Sequence, residues 1–159
     1  MDKKTVTTLK ILNSELEVLI DEDMVEVLSK HKWIRRGVYI GRVEFKNKKQ
    51  TTYLLHRVVM GAKLGELVDH KNQNPLDNRR ENLRLCTRRQ NAANSKLASN
   101  NTSGFRGVNF MKNRGWRAHI TINGKAIHLG MFETKEEAAL KYNESAIEYF
   151  GEFAALNKV

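Results

Sequence analysis

The sequence predicts an α+β fold made of two small domains. Two observations support this prediction: a strand, loop, strand and helix pattern in the middle of the chain, and three strands followed by one amphipathic helix at its end. Between them lies the polar segment "KLASNNTSG", which is poor in large apolar residues and is typical of a linker. We therefore expect one domain over residues 1–97, a linker over residues 98–103 and a second domain over residues 104–159.

The first domain is predicted to alternate short strands with short helices. The segment "ELEVLIDEDMVEVLSKHKW" combines an apolar run with a helix-like run, for which Asp21 or Asp23 is the expected N-cap. Two strand-like runs, "GVYIGRVEF" and "TTYLLHRVV", flank the polar turn "KNKKQ", and the second passes into a helix near His56. The short strands "ELVDH" and "LRLCT" follow, and Thr87 can cap the helix "RRQNAANSKLA". These last elements predict a ββα unit.

The second domain is predicted to be a three-stranded antiparallel sheet packed on one helix. Its strands are "FRGVNFM", "WRAHITI" and "KAIHLGMF", and the "NG" between the last two is typical of a tight hairpin turn. The helix begins with a capping box of Thr134 and Glu137 and can end at Gly151. The apolar stripe expected to face the sheet is formed by Ala138, Tyr142, Ala146 and either Tyr149 or Phe150.

Positive charge is concentrated in the middle of the chain. The net charge is +10, and residues 31–97 contain 16 basic and 5 acidic side chains. A basic block of this kind is typical of nucleic-acid binding, although a solvated surface remains the alternative. From Gly104 to Met131 there are five basic residues and no acidic ones. The sheet face opposite the helix is therefore expected to be positive, which suits a groove of duplex DNA, the alternative being a solvated sheet face.

Several classes of protein are excluded by what the sequence lacks. There is no apolar run of about 18 residues or more, so no membrane span is expected. The start "MDKKTVTTLKIL" contains no apolar core of a signal peptide. The single cysteine, Cys86, excludes a disulfide within the chain and a multi-cysteine zinc site, and it is expected in the core rather than as a nucleophile. We expect a reducing, cytoplasmic compartment.

The asparagine-rich stretch "VDHKNQNPLDNRRENLRLCTRRQNAAN" contains the strongest candidate for chemistry. Asp69 and His70 are adjacent at the end of a predicted strand, where a turn into a loop can bring both to one cleft. A carboxylate is a hard ligand for magnesium or manganese, and neutral histidine can activate water near pH 7. Such a pair alone is weak evidence for a catalytic site, because buried His–Asp pairs that only orient each other are common. His56 lies in an apolar run and is expected to be structural.

The spacing "VDH…N..LDNRRENLR…T..QNAAN" resembles the HNH endonucleases, in the asparagine-ending branch found in phage and intron-encoded enzymes. The resemblance implies a ββα-metal nuclease domain that cuts DNA with one divalent metal ion, Mg²⁺ or Mn²⁺. It implies that Asp69 and Asn91 bind the metal and that His70 is the general base. Asn82 would hydrogen-bond within the loop and hold His70 in place, whereas Asn94 would pack. The remaining amides of the loop, Asn78 among them, suit turns.

Five arginines of this stretch are candidates for contacts to neighbouring phosphates. They are Arg79, Arg80, Arg84, Arg88 and Arg89.

The end of the chain resembles the plant ethylene-response-factor (APETALA-type) DNA-binding domain, which also occurs fused to phage HNH nucleases. The markers are "RGV", "WRA.I", "LG.F.T.EEAA..Y..A" and "FG..A.LN". The residues that the resemblance places on the DNA side are Arg106, Asn109, Trp116, Arg117 and His128. Asn109 and His128 depart from the plant pattern, which often has arginine and tryptophan there, so the resemblance implies DNA binding but does not imply the plant target sequence.

Together these features predict a site-directed, divalent-metal-dependent DNA endonuclease of a phage or mobile element, acting in the bacterial host cell. The expected partner is double-stranded DNA, and no membrane or protein partner is expected. One active site per chain leaves nicking and double-strand cleavage open. The alternative is a catalytically silent DNA-binding regulator on the same folds. RNA binding is a weaker alternative, because the sheet lacks the paired exposed aromatic residues typical of many single-strand binders.

Overall fold

A computed structural model describes residues 6–12 and 14–159. The start of the predicted first domain, residues 1–5, therefore lies outside the described residues, as does part of the segment in which a signal peptide was sought. The chain divides into two compact units, Met1–Thr87 and Arg88–Val159. This division falls before the predicted linker at residues 98–103 and groups the helix after Thr87 with the second unit. The predicted domain boundaries stay predictions.

The first unit contains three small antiparallel sheets among its described residues, ordered β1–β2, β3–β4–β5 and β6–β7. Its strands and helices are β1 (Val6–Ile11), β2 (Ser14–Asp21), α1 (Val25–Ser29), β3 (Ile34–Arg36), β4 (Tyr39–Lys46), β5 (Lys49–Leu54), α2 (Leu55–Val59), β6 (Leu67–His70) and β7 (Leu83–Cys86). One apolar cluster forms its core, with Val18, Ile20, Leu28, Trp33 and Leu55 almost completely buried.

The structure of residues 6–12 and 14–30 differs from the prediction. β1 and β2 form a hairpin that was not predicted, and β2 extends to Asp21. Asp21 occupies the N-cap position of a short 3₁₀ helix, Glu22–Met24, that precedes α1. Neither that helix nor α1 has a side-chain cap, so the capping bond expected of Asp21 or Asp23 is not formed. The carboxylate of Asp21 is buried and accepts a hydrogen bond from the backbone nitrogen of Arg80 at 2.9 Å. Asp21, which the local sequence pattern indicated as a helix cap, instead forms a long-range hydrogen bond to Arg80.

The other predicted elements of the first unit are confirmed. β4 and β5 meet at a two-residue turn in which Asn47 and Lys48 both have positive φ, the conformation of a tight hairpin turn. β5 passes directly into α2, which contains His56. β6 and β7 pair antiparallel and are separated by a long polar loop, residues 71–82.

The second unit begins with α3 (Arg88–Ala93), which ends earlier than the predicted helix "RRQNAANSKLA". Its antiparallel sheet has the order β8–β9–β10 and is followed by the helix α4. These elements are β8 (Val108–Met111), β9 (Gly115–Ile122), β10 (Lys125–Phe132) and α4 (Lys135–Phe150). The predicted three strands and helix are confirmed, with one strand shortened.

The shortened strand is β8, because residues 105–107 form a turn instead of a strand. Gly107 has φ +68°, a conformation that L side chains rarely adopt. A Cβ atom at this position would collide with the backbone oxygen of His119 and the ring of Tyr142. The glycine therefore allows the chain to turn tightly against β9.

The predicted features of α4 are confirmed. Thr134 and Glu137 form a capping box, and Gly151, with φ +53°, is the C-cap. The stripe that faces the sheet ends at Phe150, which packs against the cluster of Ile120, Tyr142 and Ala146, whereas Tyr149 is exposed. Among residues 6–12 and 14–159, no helix has the length and apolar character needed to cross a membrane.

Candidate functional site

Asp69 and His70 are the last two residues of β6, and both are buried. Their partners across the sheet are Arg84 and Leu83 on β7. Just after the strand, the backbone nitrogen of Lys71 donates to the oxygen of Asn82 at 2.8 Å, so the two ends of the polar loop are tied together. The two residues thus lie at a strand end, as the sequence predicts, and their convergence on one cleft stays a prediction.

The Asp69 carboxylate is held by Arg84. Oδ2 of Asp69 accepts hydrogen bonds from Nε of Arg84 at 3.0 Å and from Nη2 at 2.8 Å. The two side chains are 7% and 10% exposed, so this ion pair is shielded from water and its charges attract strongly. Arg84 was predicted to contact phosphate, which stays a prediction, and in this structure its guanidinium binds the proposed metal ligand Asp69.

The His70 ring is enclosed by polar and aromatic neighbours. Its Nε2 lies 3.4 Å from Oδ1 of Asn78. The His56 ring is packed edge-on with centroids 5.1 Å apart, and the Tyr39 ring lies nearly parallel at 6.2 Å. Burial lowers the pKa of His70, and the neighbouring Asn78 and Asp69 oppose this shift. His70 is therefore neutral near pH 7 and can accept a proton.

His56 is buried, in agreement with the structural role expected of it, whereas Cys86 is only half-buried and lies outside the core cluster in which it was expected. Burial, followed by the nearby charges of His70 and Arg57, lowers the pKa of His56 to about 4, so the His56 ring is neutral at physiological pH. It adds no positive charge beside His70. Burial raises the pKa of the half-buried Cys86 thiol, which therefore stays protonated and is not an activated nucleophile.

Asn82 fastens the polar loop from within. Its Oδ1 accepts from the backbone nitrogen of Asn72 at 3.0 Å, and its Nδ2 donates to Asn72 Oδ1 at 2.9 Å and to the backbone oxygen of Asp77 at 2.8 Å. These contacts agree with the predicted hydrogen bonding within the loop. Asn78, and not Asn82, has the amide that contacts Nε2 of the His70 ring. The sequence pattern predicted only a turn-forming role for Asn78.

Asp77 is a residue that the sequence reasoning did not single out. Its carboxylate is 2% exposed and accepts from Nε and Nη2 of Arg79, both at 2.7 Å, and from Nδ2 of Asn72 at 2.8 Å. The hydrogen bonds from Arg79 hold the pKa of the Asp77 carboxyl below its usual value, against the opposing effect of burial. A weak signal was present in the sequence, since a carboxylate two residues before an arginine can close such a turn.

Two arginines at the end of this loop form ion pairs with carboxylates. Arg79 binds Asp77 and also the exposed Glu81. The guanidinium of Arg80 binds Asp23 at 2.7 Å and Asp21 at 3.5 Å. The contacts of Arg79 and Arg80 to phosphate stay predictions, and the structure gives each of them a fold-stabilising contact that was not predicted.

One cluster of exposed positive charge in the first unit lies at the far end of the β4–β5 hairpin. Lys46, Lys48 and Lys49 are all exposed there. Next to them, Phe45 is 76% exposed, which is unusual for a large aromatic side chain. This end of the hairpin suits contact with a polyanion better than the carboxylate-bound arginines do.

α3 contains the predicted metal ligand Asn91. Asn91 is exposed on this helix, whereas Asn94 is buried just after it, as expected of a packing residue. Arg88 and Arg89 are exposed, and the guanidinium of Arg89 lies over the ring of Phe150 at 5.9 Å.

The donor set proposed for a metal consists of the Asp69 carboxylate and an amide oxygen of Asn91. Within the described part of the chain, no group of three or more His, Cys, Asp or Glu side chains is arranged to hold a metal ion. A carboxylate with an amide oxygen suits a hard cation that keeps water or phosphate oxygens as further ligands. The donor chemistry therefore fits magnesium or manganese and does not fit a structural zinc site.

In the second unit, the sheet face opposite α4 contains three of the polar side chains predicted to contact DNA, together with His119. The three predicted residues are Asn109, Arg117 and His128. Nε of Arg117 donates to Oδ1 of Asn109 at 3.1 Å across β8 and β9. His128 of β10 lies opposite His119. Arg117 and His119 stand on the same face of β9 because they are two residues apart.

Trp116 does not lie where the resemblance placed it, whereas the place of Arg106 on the DNA side stays a prediction. Trp116 packs against the cluster of Val108, Ala118 and α4, so the expectation that it shares a side with Arg117 is wrong. The physical reason is strand alternation, which puts adjacent residues on opposite faces. Arg106 lies in the turn before β8, and its guanidinium donates to the backbone oxygen of Ser95.

Comparison with known proteins adds family relationships to this geometry. A family model described as HNH endonuclease matches residues 53–93, a range that contains Asp69, His70, Asn82 and Asn91. An uncharacterized HNH endonuclease of Acanthamoeba polyphaga mimivirus is 33% identical over 144 residues, which cover 86% of this chain and 72% of that protein.

Two further relatives match parts of the chain. Protein 3.8 of Escherichia phage T7 is 35% identical over 91 residues, covering 57% of this chain and 74% of that protein. APETALA2-like protein 2 of Oryza sativa is 40% identical over 57 residues, which cover 35% of this chain and only 13% of that protein. The match to APETALA2-like protein 2 therefore supports a resemblance to APETALA-type domains for part of this chain only.

Proposed function

This chain belongs to the HNH endonuclease family, and we propose that it hydrolyses phosphodiester bonds of DNA with His70 as the general base. The observation that carries the proposal is the buried, neutral imidazole of His70 beside the Asp69 carboxylate at the end of β6. A neutral imidazole can take a proton from water as the water oxygen bonds to phosphorus. The bond between phosphorus and the leaving 3′-oxygen then breaks, and that oxygen takes a proton from solvent.

Around His70, the other proposed residues bind and orient. Asp69 and Asn91 would hold one divalent ion, Mg²⁺ or Mn²⁺, through hard oxygen atoms. When bound, such an ion offsets the negative charge that develops on the phosphate. Asn82 holds the polar loop closed behind His70 through its hydrogen bonds to Asn72 and Asp77. The proposed metal-dependent site thus contains one carboxylate, Asp69, and one base, His70, per chain.

We propose that the second unit supplies DNA binding and directs the enzyme to its site. Support comes from the partial similarity to APETALA2-like proteins and from the open sheet face with Asn109, Arg117 and His128. Two relatives, one from Acanthamoeba polyphaga mimivirus and one from Escherichia phage T7, support an enzyme of a phage or mobile element that acts inside its host cell. The domain limits proposed from the sequence, 1–97 and 104–159, belong to this proposal.

The mechanism is tested by His70→Ala. We expect cleavage of plasmid DNA in Mg²⁺ or Mn²⁺ to be abolished, while the Kd for DNA changes less than about twofold because no phosphate contact is removed. His31→Ala is the matched control, since His31 is an exposed histidine of the same unit. If His70→Ala cleaves at the rate of the unchanged protein, His70 is not the base.

The targeting role is tested separately by Arg117→Ala. Weaker DNA binding and a loss of preference for the cleaved sequence are expected, with the cleavage rate at saturating DNA preserved. Lys141→Ala is the control, because Lys141 lies on α4 and pairs with Glu144. Unchanged affinity and site preference in Arg117→Ala would remove the sheet face from the proposal.

A catalytically silent DNA-binding regulator is the second candidate. The Arg84–Asp69 ion pair favours it, because a carboxylate held by arginine also has a purely structural use. A randomised DNA library separates the two functions when both strands of the products are sequenced. Cut strands with defined ends in Mn²⁺ identify the nuclease and show whether one or both strands are cut, whereas retained binding without any cut strand identifies the regulator.

A further inference from the structure

The outer part of the β4–β5 hairpin is a ribbon of two strands. β3 pairs with β4 only over Tyr39–Gly41, so beyond Gly41 the described pairing partner of β4 is β5 alone. Every residue from 44 to 52 is exposed, and we call this segment the hairpin ribbon. The major groove of duplex DNA is wide enough to admit a two-stranded ribbon. The hairpin ribbon therefore has the shape and the accessibility needed to enter that groove.

The strand register sorts the side chains of the hairpin ribbon onto two faces. Phe45 lies opposite Gln50, and Lys46 lies opposite Lys49. Because successive residues of a strand point to opposite faces, Phe45 and Gln50 share one face and the two lysines share the other. Lys48 lies in the turn that joins the strands. One face thus presents an aromatic ring and an amide, and the other, the lysine face, presents positive charge.

Phe45 and Gln50 are accessible to a partner. The Phe45 side chain is 76% exposed, so its burial by a partner would be favourable. Gln50 is exposed too, and its amide forms no hydrogen bond with other residues that the structure describes. A glutamine amide can bond both N6 and N7 of adenine, and a phenylalanine ring can pack on the methyl group of thymine. In the major groove, these two side chains together match an A·T base pair.

The charges of the hairpin ribbon favour contact with phosphates at the rims of such a groove. Lys46, Lys48 and Lys49 have long, exposed side chains that can reach phosphate oxygens. Glu44 is the one carboxylate of the ribbon sequence, and it forms an ion pair with Arg42. Its negative charge is therefore partly offset, and the ribbon keeps a positive potential. The lysines would hold the ribbon in the groove while the opposite face contacts the base edges.

Resting on the proposed DNA endonuclease function, we propose that the hairpin ribbon enters the major groove of the substrate and that Phe45 and Gln50 read an A·T base pair near the cut bond.

The distance to the cut bond follows from the position of the ribbon relative to His70. The ring of Tyr39, at the start of β4, lies 6.2 Å from the His70 ring. Phe45 is six residues further along the same strand, which is about 20 Å at about 3.3 Å per residue. The sum of these distances corresponds to about eight base pairs, because phosphates of one strand are spaced by about 3.4 Å along the DNA axis. The base pair that is read therefore lies within about eight base pairs of the cut bond.

The first experiment uses the full-length protein and a randomised library of duplex DNA. The library is cut in Mn²⁺, and the sequenced products are aligned on the cut bond. For the unchanged protein we expect an enriched A·T pair within about eight base pairs of the cut. Gln50→Ala should lower the discrimination at this pair about tenfold, because a bidentate contact to adenine is lost. If no A·T pair is enriched in this range, or if Gln50→Ala enriches it equally, the proposal is overturned.

The second experiment measures the contact of Phe45 at the same base pair. Replacing the thymine by deoxyuracil removes only its methyl group, and Kd is measured by fluorescence anisotropy in EDTA so that the DNA stays intact. For the unchanged protein we expect about fourfold weaker binding to the deoxyuracil duplex, the effect of returning one apolar carbon to water. Phe45→Ala should bind both duplexes equally. An unchanged protein that does not sense the methyl group, or a Phe45→Ala variant that senses it fully, contradicts the role of Phe45.

Thr51→Ala and Leu64→Ala are the matched controls. Thr51 is exposed on the lysine face of the same ribbon, and Leu64 is a fully exposed apolar residue of the first unit outside the ribbon. Both variants should keep the A·T preference and the effect of the methyl group.

A failure of the nuclease function is recognised separately. A protein that cuts no duplex refutes the proposed function, and the same library is then selected by binding in EDTA. The hairpin ribbon predicts an A·T preference in the bound duplexes that Gln50→Ala loses and Thr51→Ala keeps. An equal preference in both variants, or none in the unchanged protein, overturns the inference about the ribbon.

Discussion

Replacing Asp77 by asparagine should destabilise the first unit strongly although the substitution preserves the shape of the side chain. Asp77 is buried and accepts three hydrogen bonds at 2.7–2.8 Å, two of them from the guanidinium of Arg79. In either orientation, the amide of Asn would place an N–H₂ group against one of these donors. The substitution therefore removes the charge and also creates a donor–donor contact.

The magnitude follows from the contacts of the two side chains. Hydrogen bonds to charged groups contribute about 1.5–3 kcal/mol each, which sets an upper range for the pair with Arg79. Arg79 is 24% exposed and keeps Glu81 as a second partner, so part of this energy is regained after the substitution. We expect a loss of about 3 kcal/mol in the free energy of unfolding, near the lower end of the range for breaking a buried ion pair.

Urea unfolding followed by the fluorescence of Trp33 measures this loss. Trp33 is buried in the first unit, where its indole nitrogen donates to Leu28 at 2.8 Å, and a Trp116→Phe background removes the signal of the second unit. Glu81→Gln is the matched control, because it removes an exposed carboxylate from the same arginine. The control should cost less than about 0.5 kcal/mol, since exposed ion pairs contribute little.

The pH dependence provides an independent check. The pKa of the Asp77 carboxyl is lowered in the folded state, so its stabilising effect is complete above the unfolded-state pKa of about 3.9 and is lost as the pH falls through the folded-state value. The stability difference between Asp77→Asn and the unchanged protein should therefore be constant near neutral pH and shrink below about pH 4. Equal effects of Asp77→Asn and Glu81→Gln, or a difference that persists in acid, would refute this reasoning.

Three further variants test packing and charge. Gly107→Ala should destabilise the second unit by about 3 kcal/mol or more, because φ is +68° and the added Cβ meets backbone and ring atoms; Trp116 fluorescence in urea measures it. Leu28→Ala, at a fully buried position, should cost about 2–5 kcal/mol by thermal unfolding. Combining Lys48→Glu with Lys49→Glu should lower the salt dependence of log Kd for DNA by about two, with Lys63→Glu as control; an unchanged slope contradicts a hairpin contact.

Local signals in the sequence were sufficient for most of the second unit. The alternation in "WRAHITI", the "NG" turn and the capping box of Thr134 and Glu137 each depend on neighbouring residues only, and the structure contains all three. The placement of Trp116 shows the reverse case. Strand alternation puts it opposite Arg117, and the structure follows this alternation rather than the position implied by the family resemblance.

The parts that the sequence did not predict depend on residues that are distant along the chain. The backbone of Arg80 binds a carboxylate 59 positions earlier, on a strand whose pairing with β1 was also missed. The Asn78–His70 contact depends on the path of the polar loop, which is set by its bonds to Leu19. Composition indicated that this loop was rich in amides, but the partner of each amide is decided by tertiary structure.

The distribution of charge changes meaning once these long-range pairs are known. Residues 1–30 are acidic and residues 31–97 strongly basic, and counting along the sequence treats the two segments as separate. In the structure, Asp21 and Asp23 from the acidic segment bind Arg80, so this arginine contributes little positive potential to a DNA surface. Arg80→Ala should consequently lower the stability of the first unit while leaving the salt dependence of DNA binding almost unchanged. For the hairpin variant Lys48→Glu with Lys49→Glu we expect the opposite: a smaller salt dependence of DNA binding and little change in stability. Measuring stability and salt dependence for both variants shows which positive charges stabilise the fold and which contact DNA.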